Sequence, residues 1–199
     1  MSKMAILKIE GQGNVDIYDV WFFLKSLDAL YRRLTVFYEL ENDKSSFITK
    51  QYGGPSIIDD MSLFAAVDEV EPLIIKSVEI HSPGFWEFLG NLNILETIRQ
   101  MINDVHERKK DRDYRNAEEE KKLKLENTDR AIENLGKAID VAERYEKLLR
   151  DRGVSSDEAK KAVDTHITNY LEGISKAKEN KIIGKAKVTP QNKGKQGSK

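Results

Sequence analysis

Apolar and polar positions change period along the chain. Ala5 to Glu10 places Ile6, Leu7 and Ile9 in a short β-prone run closed by Gly11-Gln12-Gly13-Asn14, which predicts a strand ending in a turn. From about Val15 to Arg33 the period becomes helical. Tyr18, Trp21, Phe22, Leu24, Leu27, Leu30, Tyr31 and Leu34 recur on one broad face, and Asp16 and Asp19 fall in the first turn, where the helix dipole favours acids. Thr35 to Leu40 fits two readings, helix continuation or strand, because Val36, Tyr38 and Leu40 alternate. Residues 41–60 carry the turn chemistry Asn42-Asp43, Ser45-Ser46 and Gly53-Gly54-Pro55-Ser56 and read as loop, with a short helix after Asp60. Pro72 introduces a second strand over Leu73 to His81, with Ile74, Val78 and Ile80 on one face beside Lys76, and Glu79 on the other.

The remainder reads as helices. Ser82-Pro83-Gly84 has the chemistry of a helix start, and Phe85, Phe88, Leu89, Leu92 and Leu95 cluster on one face behind it. The stripe runs on through Ile98, Ile102 and Val105 in a short heptad-like seam. It then vanishes: 13 of the 17 residues from His106 to Lys122 are charged, so this stretch has no core side. Pairs such as Asp111 with Arg115 and Glu118 with Lys122 fall at i, i+4 and suit a solvated helical spacer, with local disorder the alternative. Apolar periodicity resumes at Ala131, Ile132, Leu135, Ala138, Ile139, Ala142, Tyr145 and Leu149, and stops at Gly153. Ser155-Ser156-Asp157-Glu158 supplies a capping box for a helix bearing Val163, Ile167, Tyr170 and Ile174. So short a connection predicts an antiparallel hairpin. Ile182 to Val188 offers a return strand to the N-terminal sheet, and 189–199 is poor in hydrophobes and reads as a disordered basic tail.

The fold class expected is therefore α+β and helix-dominated, with a sheet of two or three strands. Residues 1–105 form a small α+β unit ending in an amphipathic helix, 106–127 a charged spacer, 128–178 the hairpin, and 179–199 the return strand and tail. Charge follows these segments. Residues 1–105 carry 9 basic and 16 acidic side chains, 106–178 carry 18 and 17, and 179–199 carry 6 and 1, so only the tail is basic. A phosphate-binding surface needs its cations uncompensated on one face, and the middle segment supplies an acid for almost every base. No window approaches the roughly 20 apolar residues of a membrane span. The start Met1-Ser2-Lys3-Met4 shows no secretory pattern and there is no cysteine, which leads to the expectation of a cytoplasmic protein.

Candidate chemistry is sparse. His81, His106 and His166 have no second ligand at i+3 or i+4 and read as structural or surface residues. Asp59-Asp60 with Glu79-Ile80-His81 resembles the carboxylate pattern of metal-dependent nucleases, without the lysine expected after the second acid. Gly11-Gln12-Gly13 lacks the third glycine of a dinucleotide site. No catalytic, cofactor-binding or metal-binding residue is assigned. Phe85-Trp86-Glu87-Phe88-Leu89 places three aromatics in four positions; on a helix Trp86 points about 100° from Phe85, either into a widely buried face or outward as an anchor for a protein partner. Trp86, Glu87 and Gly90 are the candidate partner-binding residues.

Ser82-Pro83-Gly84-Phe85-Trp86-Glu87-Phe88-Leu89-Gly90, followed by His106-Glu107-Arg108-Lys109-Lys110-Asp111-Arg112, resembles segments of an uncharacterised bacterial family in which a small β/α piece also precedes a charged helix. The resemblance covers residues 73–116 and implies no activity, substrate or site residue. The function expected from the residues is that of a non-enzymatic interaction or scaffolding protein, self-associating through its helical stripes or an open sheet edge. A nucleic-acid-associated accessory protein, using the basic residues of 108–124 and the lysine tail, is the alternative, and a metal-dependent nuclease the third.

Overall fold

The computed structural model describes residues 3–11, 16–42, 47–52, 65–79, 84–104 and 136–191. In chain order these form β1 (Met4–Gly11), α1 (Ile17–Asn42), α2 (Phe47–Tyr52), a short helical turn at 65–68, β2 (Ile74–Glu79), β3 (Gly84–Asn91) and α3 (92–104). After residue 135 come α4 (Gly136–Asp151), α5 (Ser156–Val163), a π-helical turn (Asp164–Thr168), α6 (Asn169–Glu179) and β4 (Ile183–Pro190). The fold is α+β, and the sheet has four antiparallel strands in the order β2-β3-β1-β4 rather than two or three. Among the described residues no helix is long and apolar enough to cross a membrane.

The extra strand is β3, and it corrects the reading of residues 85–91 as the first turns of a helix. Aromatic side chains suit a pleated surface, and here alternate residues divide cleanly between faces. Leu7 pairs with Phe88, Ile9 with Trp86 and Ala5 with Gly90 on the face that meets the helices. Ile6 with Leu89, Lys8 with Glu87 and Glu10 with Phe85 occupy the other. A run apolar on both faces satisfies a helical period equally well, which is why spacing misleads here. The helix that follows starts seven residues later than Phe85, with Asn91 Oδ1 accepting the Asn93 N–H at 3.0 Å. Ile94, Leu95, Ile98, Met101 and Ile102 of α3 are then buried as the stripe requires.

Helix α1 organises the rest. Its Phe23, Leu27 and Leu30 are fully buried in the core beside Leu7, Ile9 and Phe88. Thr35 to Leu40 continues it as helix: the Thr35 hydroxyl donates to the Tyr31 carbonyl at 2.9 Å, and Val36, Phe37 and Leu40 are buried. Phe37 meets Tyr145 of α4 edge-on at 4.8 Å, and Arg152 Nη2 donates to Leu40 O at 2.8 Å, fixing the end of α1 against the hairpin. The segment 41–60, expected as loop, contains α2; its residues 53–60 lie outside the described set.

The hairpin ends are as the sequence implies. Gly153, at φ 89°, follows α4 with its N–H donating to Arg150 O and that of Val154 to Leu149 O. Ser155 then caps α5 by accepting from the Glu158 N–H and donating to the Glu158 carboxylate. Past the π-helical turn, however, the second arm leaves the hairpin, and α6 packs on α1. The approach is close: a Cβ on Gly173 would stand 2.1 Å from Ser26 Oγ. A left-handed Lys181, φ 58°, turns the chain into β4, which pairs with β1 as the return strand. Thr189 and Pro190 belong to this strand rather than to a disordered tail. The expected charged spacer, 106–127, and residues 192–199 lie outside the described residues.

Candidate interaction edge

Two strands border the sheet, β2 and β4, and they are finished differently. An edge strand presents unpaired N–H and C=O groups, which natural proteins blunt with charge, proline, bulges or a covering side chain. On β4 three such devices coincide. Lys185 and Lys187 are exposed along it, Pro190 removes a donor at its end, and the Asn103 amide of α3 grips Ala186, accepting from its N–H at 2.9 Å and donating to its C=O at 3.0 Å. The backbone that a further strand would seek is there already occupied.

Strand β2 carries Lys76, Glu79 and one bulge. It pairs with β3 on one side, and among the described residues no strand lies on the other. The register shifts between Ile75 and Ser77, so Lys76 is the extra residue and the strand changes phase across it. Ile75 opposite Phe88 and Val78 opposite Trp86 therefore share the helix face, while Ile74, Ser77 and Glu79 lie opposite Leu89, Glu87 and Phe85 on the other. This corrects the expectation that Ile74 and Val78 sit together. Even so, Ile74, Ile75 and Val78 are 47%, 49% and 36% exposed, so the strand shows apolar side chains on both faces. The sequence named the strand but not its exposure, because the positions of Ile74, Ile75 and Val78 do not by themselves reveal whether a helix covers them.

The three sequence-nominated residues all sit on β3, the neighbour of this edge. Trp86 is half-buried, stacked edge-on against Phe23 at 6.5 Å, and its Nε1 would lie 2.9 Å from a Cβ on Gly11. Glu87, on the opposite face, bridges two strands: its Oε2 accepts from the Ser77 hydroxyl at 2.9 Å and its Oε1 lies 3.5 Å from Lys8 Nζ. Gly90 is buried where the Tyr31 ring crosses the sheet, 2.8 Å from where a Cβ would stand. Tyr31 is held there by accepting the Asn91 N–H at 3.0 Å; burial raises its phenol pKa, opposed by that hydrogen bond. The structure thus gathers these three around the strand next to the edge, with Trp86 and Gly90 on one face and Glu87 on the other.

At the end of the sheet where β1 begins, a groove of about 400 Å³ opens between the sheet and α1. Met4, Tyr31, Ile74 and Gly90 contribute to its lining, as do the carboxylate residues Glu39, Glu69 and Glu71. Elsewhere, Ile17, Tyr18 and Trp21 are exposed on the first turns of α1, with Lys25 over the Trp21 ring at 4.9 Å. His166 is buried in the π-helical turn, whereas Asp59, Asp60, His81 and His106 lie outside the described residues. Among the described residues no three His, Asp or Glu side chains converge to hold a metal ion. Arg33 is buried with its guanidinium 4.2 Å over the Tyr170 ring; burial lowers its pKa and Tyr170 opposes this. No family model, curated protein or solved structure matches this chain.

Proposed function

We propose that this chain is a non-enzymatic interaction or scaffolding protein that associates with itself through the open edge of β2. The observation that carries the reading is the contrast between the edges. β4 is closed by Asn103, lysines and proline, while among the described residues no strand pairs with the outer side of β2, beside half-exposed Ile74, Ile75 and Val78. Strand addition draws affinity from main-chain hydrogen bonds and selectivity from alternate side chains. A two-fold antiparallel pairing of β2 with a second copy in which Ile75 faces Val78 of the other strand buries apolar pairs on the helix face, and its symmetry closes the assembly as a dimer.

The test is the mass in solution of the parent chain and of an Ile75→Lys/Val78→Lys variant. Both positions are substantially exposed, so the variant keeps the fold and its circular dichroism. Light scattering across tens of micromolar should show a dimer for the parent and a monomer for the variant. A parent that remains strictly monomeric, or a variant that dimerises equally well, removes the edge as the site of association.

A further inference from the structure

We infer that the groove between the sheet and α1 is the docking site for residues 192–199 of the same chain. The groove is chemically one-sided. Its floor contains the buried Tyr31 and Ile48, exposed Phe47 and Ile74 stand at its margin, and Glu39, Glu69 and Glu71 bring three carboxylates to it. Among the described residues no ion pair engages those three side chains, in contrast to Glu87, Glu96 and Glu41, each of which has a basic partner. An amphipathic concavity with unneutralised carboxylates selects an extended, cationic occupant and disfavours an anionic one.

The chain delivers such an occupant to this place. β4 runs antiparallel to β1 and leaves the sheet at the end where β1 begins, and there the Gln191 N–H donates to the Met4 carbonyl at 3.0 Å. Met4 itself lines the groove. The next residues, Asn192-Lys193-Gly194-Lys195-Gln196-Gly197-Ser198-Lys199, carry three lysines and no acid, in a chain whose net charge is −1. From β4 across β1 and β3 to β2 is three strand spacings, roughly 14 Å. Eight residues reach up to about 27 Å when extended, so the segment spans the groove with length to spare. Its two glycines and lack of β-branched residues impose no steric obstacle to following a curved wall. Pinning at Gln191 also matters energetically. A short tether holds the lysines at an effective concentration on the order of millimolar, so contacts too weak to be seen between separate molecules suffice within one.

Backbone amide NMR shifts, recorded at low ionic strength, compare the full chain, a chain ending at Gln191, and a full-length Lys193→Gln/Lys195→Gln/Lys199→Gln variant. Docking predicts shift differences at Met4, at 69–74 and at 89–91 between the full chain and the truncation, and a triple variant that reproduces the truncated spectrum at those amides. Glu39→Gln/Glu69→Gln/Glu71→Gln should do likewise from the other side, and salt near 1 M, where screening acts within about 3 Å, should erase the difference. Spectra that coincide at these amides overturn the inference. So do differences that survive the lysine substitutions and high salt, which mark only a local effect of ending the chain. Differences that vanish on dilution from 500 to about 20 µM place the segment on a second copy and refute docking within one molecule.

Discussion

The contact between α1 and α6 gives the sharpest stability prediction, because two rules demand opposite signs. Gly173 lies inside α6, where helix propensity alone makes Gly173→Ala stabilising by about 1 kcal/mol. Packing demands the reverse. The new Cβ would stand 2.1 Å from Ser26 Oγ, 2.6 Å from Ser26 Cβ and 3.3 Å from Phe22 Cε1, against a carbon contact distance of about 3.5–4.0 Å. Rotating the Ser26 hydroxyl away leaves the Cβ–Cβ clash, since both atoms are fixed by backbone, so the helices must separate by roughly 1 Å. Overpacking of this kind costs about 1–3 kcal/mol, and this contact belongs at the upper end. The net expectation is a loss of about 1–2 kcal/mol, read as a lower urea midpoint at unchanged m-value. Ser26→Gly removes the opposing Cβ at the propensity cost of one helical glycine. In the pair Gly173→Ala/Ser26→Gly the two costs should therefore not add, giving a coupling of about 1–2 kcal/mol in a double-mutant cycle. A Gly173→Ala protein at least as stable as the parent, or two costs that simply sum, would refute the close approach.

Two further predictions concern the core. Tyr145 is buried against Phe37, and burial raises its phenol pKa well above the ordinary 10.0, with Arg33 opposing. The folded state then keeps a proton that the unfolded chain sheds above pH 10, so the contribution is complete below about pH 10 and is lost as pH rises toward the folded value, by up to ~1.4 kcal/mol per pH unit. Tyr145→Phe should flatten that alkaline slope in urea titrations between about pH 9 and 11; an unchanged slope would exclude Tyr145 as its source. Phe88→Ala, at a fully buried position, should cost about 3–5 kcal/mol, whereas Trp86→Ala, from a half-buried site on the same face, should cost about 2 kcal/mol. Equal losses would mean that Trp86 is as much a part of the core as Phe88.

What the sequence made legible was what local chemistry decides. The Gly153 stop, the Ser155–Glu158 capping box, the first strand and the return strand each rest on a few adjacent residues, and each is present. Three features depend on distant partners, and local sequence does not reveal them. Phe85 to Leu89 fits both periods, and only its pairing with β1 and β2 selects the strand. Lys76 reads as an ordinary alternating residue, yet the register against β3 makes it a bulge and moves Val78 to the face opposite Ile74. Val163 to Ile174 reads as one side of a hairpin, but the π-helical turn intervenes and Gly173 seats α6 on α1. The candidate partner residues share the first problem: Trp86, Glu87 and Gly90 stand on a strand and not on a helix, and on β3 they lie beside the edge instead of forming one.

The difference between the two edges is an argument about sequence as well as structure. Closing β4 required particular residues: an asparagine at 103 whose amide supplies one donor and one acceptor, lysines at alternate positions, and a proline where the strand ends. Each sits where a strand could otherwise be extended, and each is of a kind that protects an edge without contributing to the apolar core. β2, Ile-Ile-Lys-Ser-Val-Glu, carries a lysine, a glutamate and a bulge of its own, but it also places three half-exposed aliphatic side chains along the edge. On the proposal that β2 pairs with a second copy, one edge is sealed and the other kept for pairing. On this view Ile75→Lys/Val78→Lys gives β2 the kind of protection β4 already has. It should abolish association while leaving the unfolding free energy of the monomer, from urea titration, within about 1 kcal/mol of its starting value, as expected for exposed positions. A larger loss of stability without a change in mass would show that Ile75 and Val78 serve the core of a single chain, and that the open edge is not what they are for.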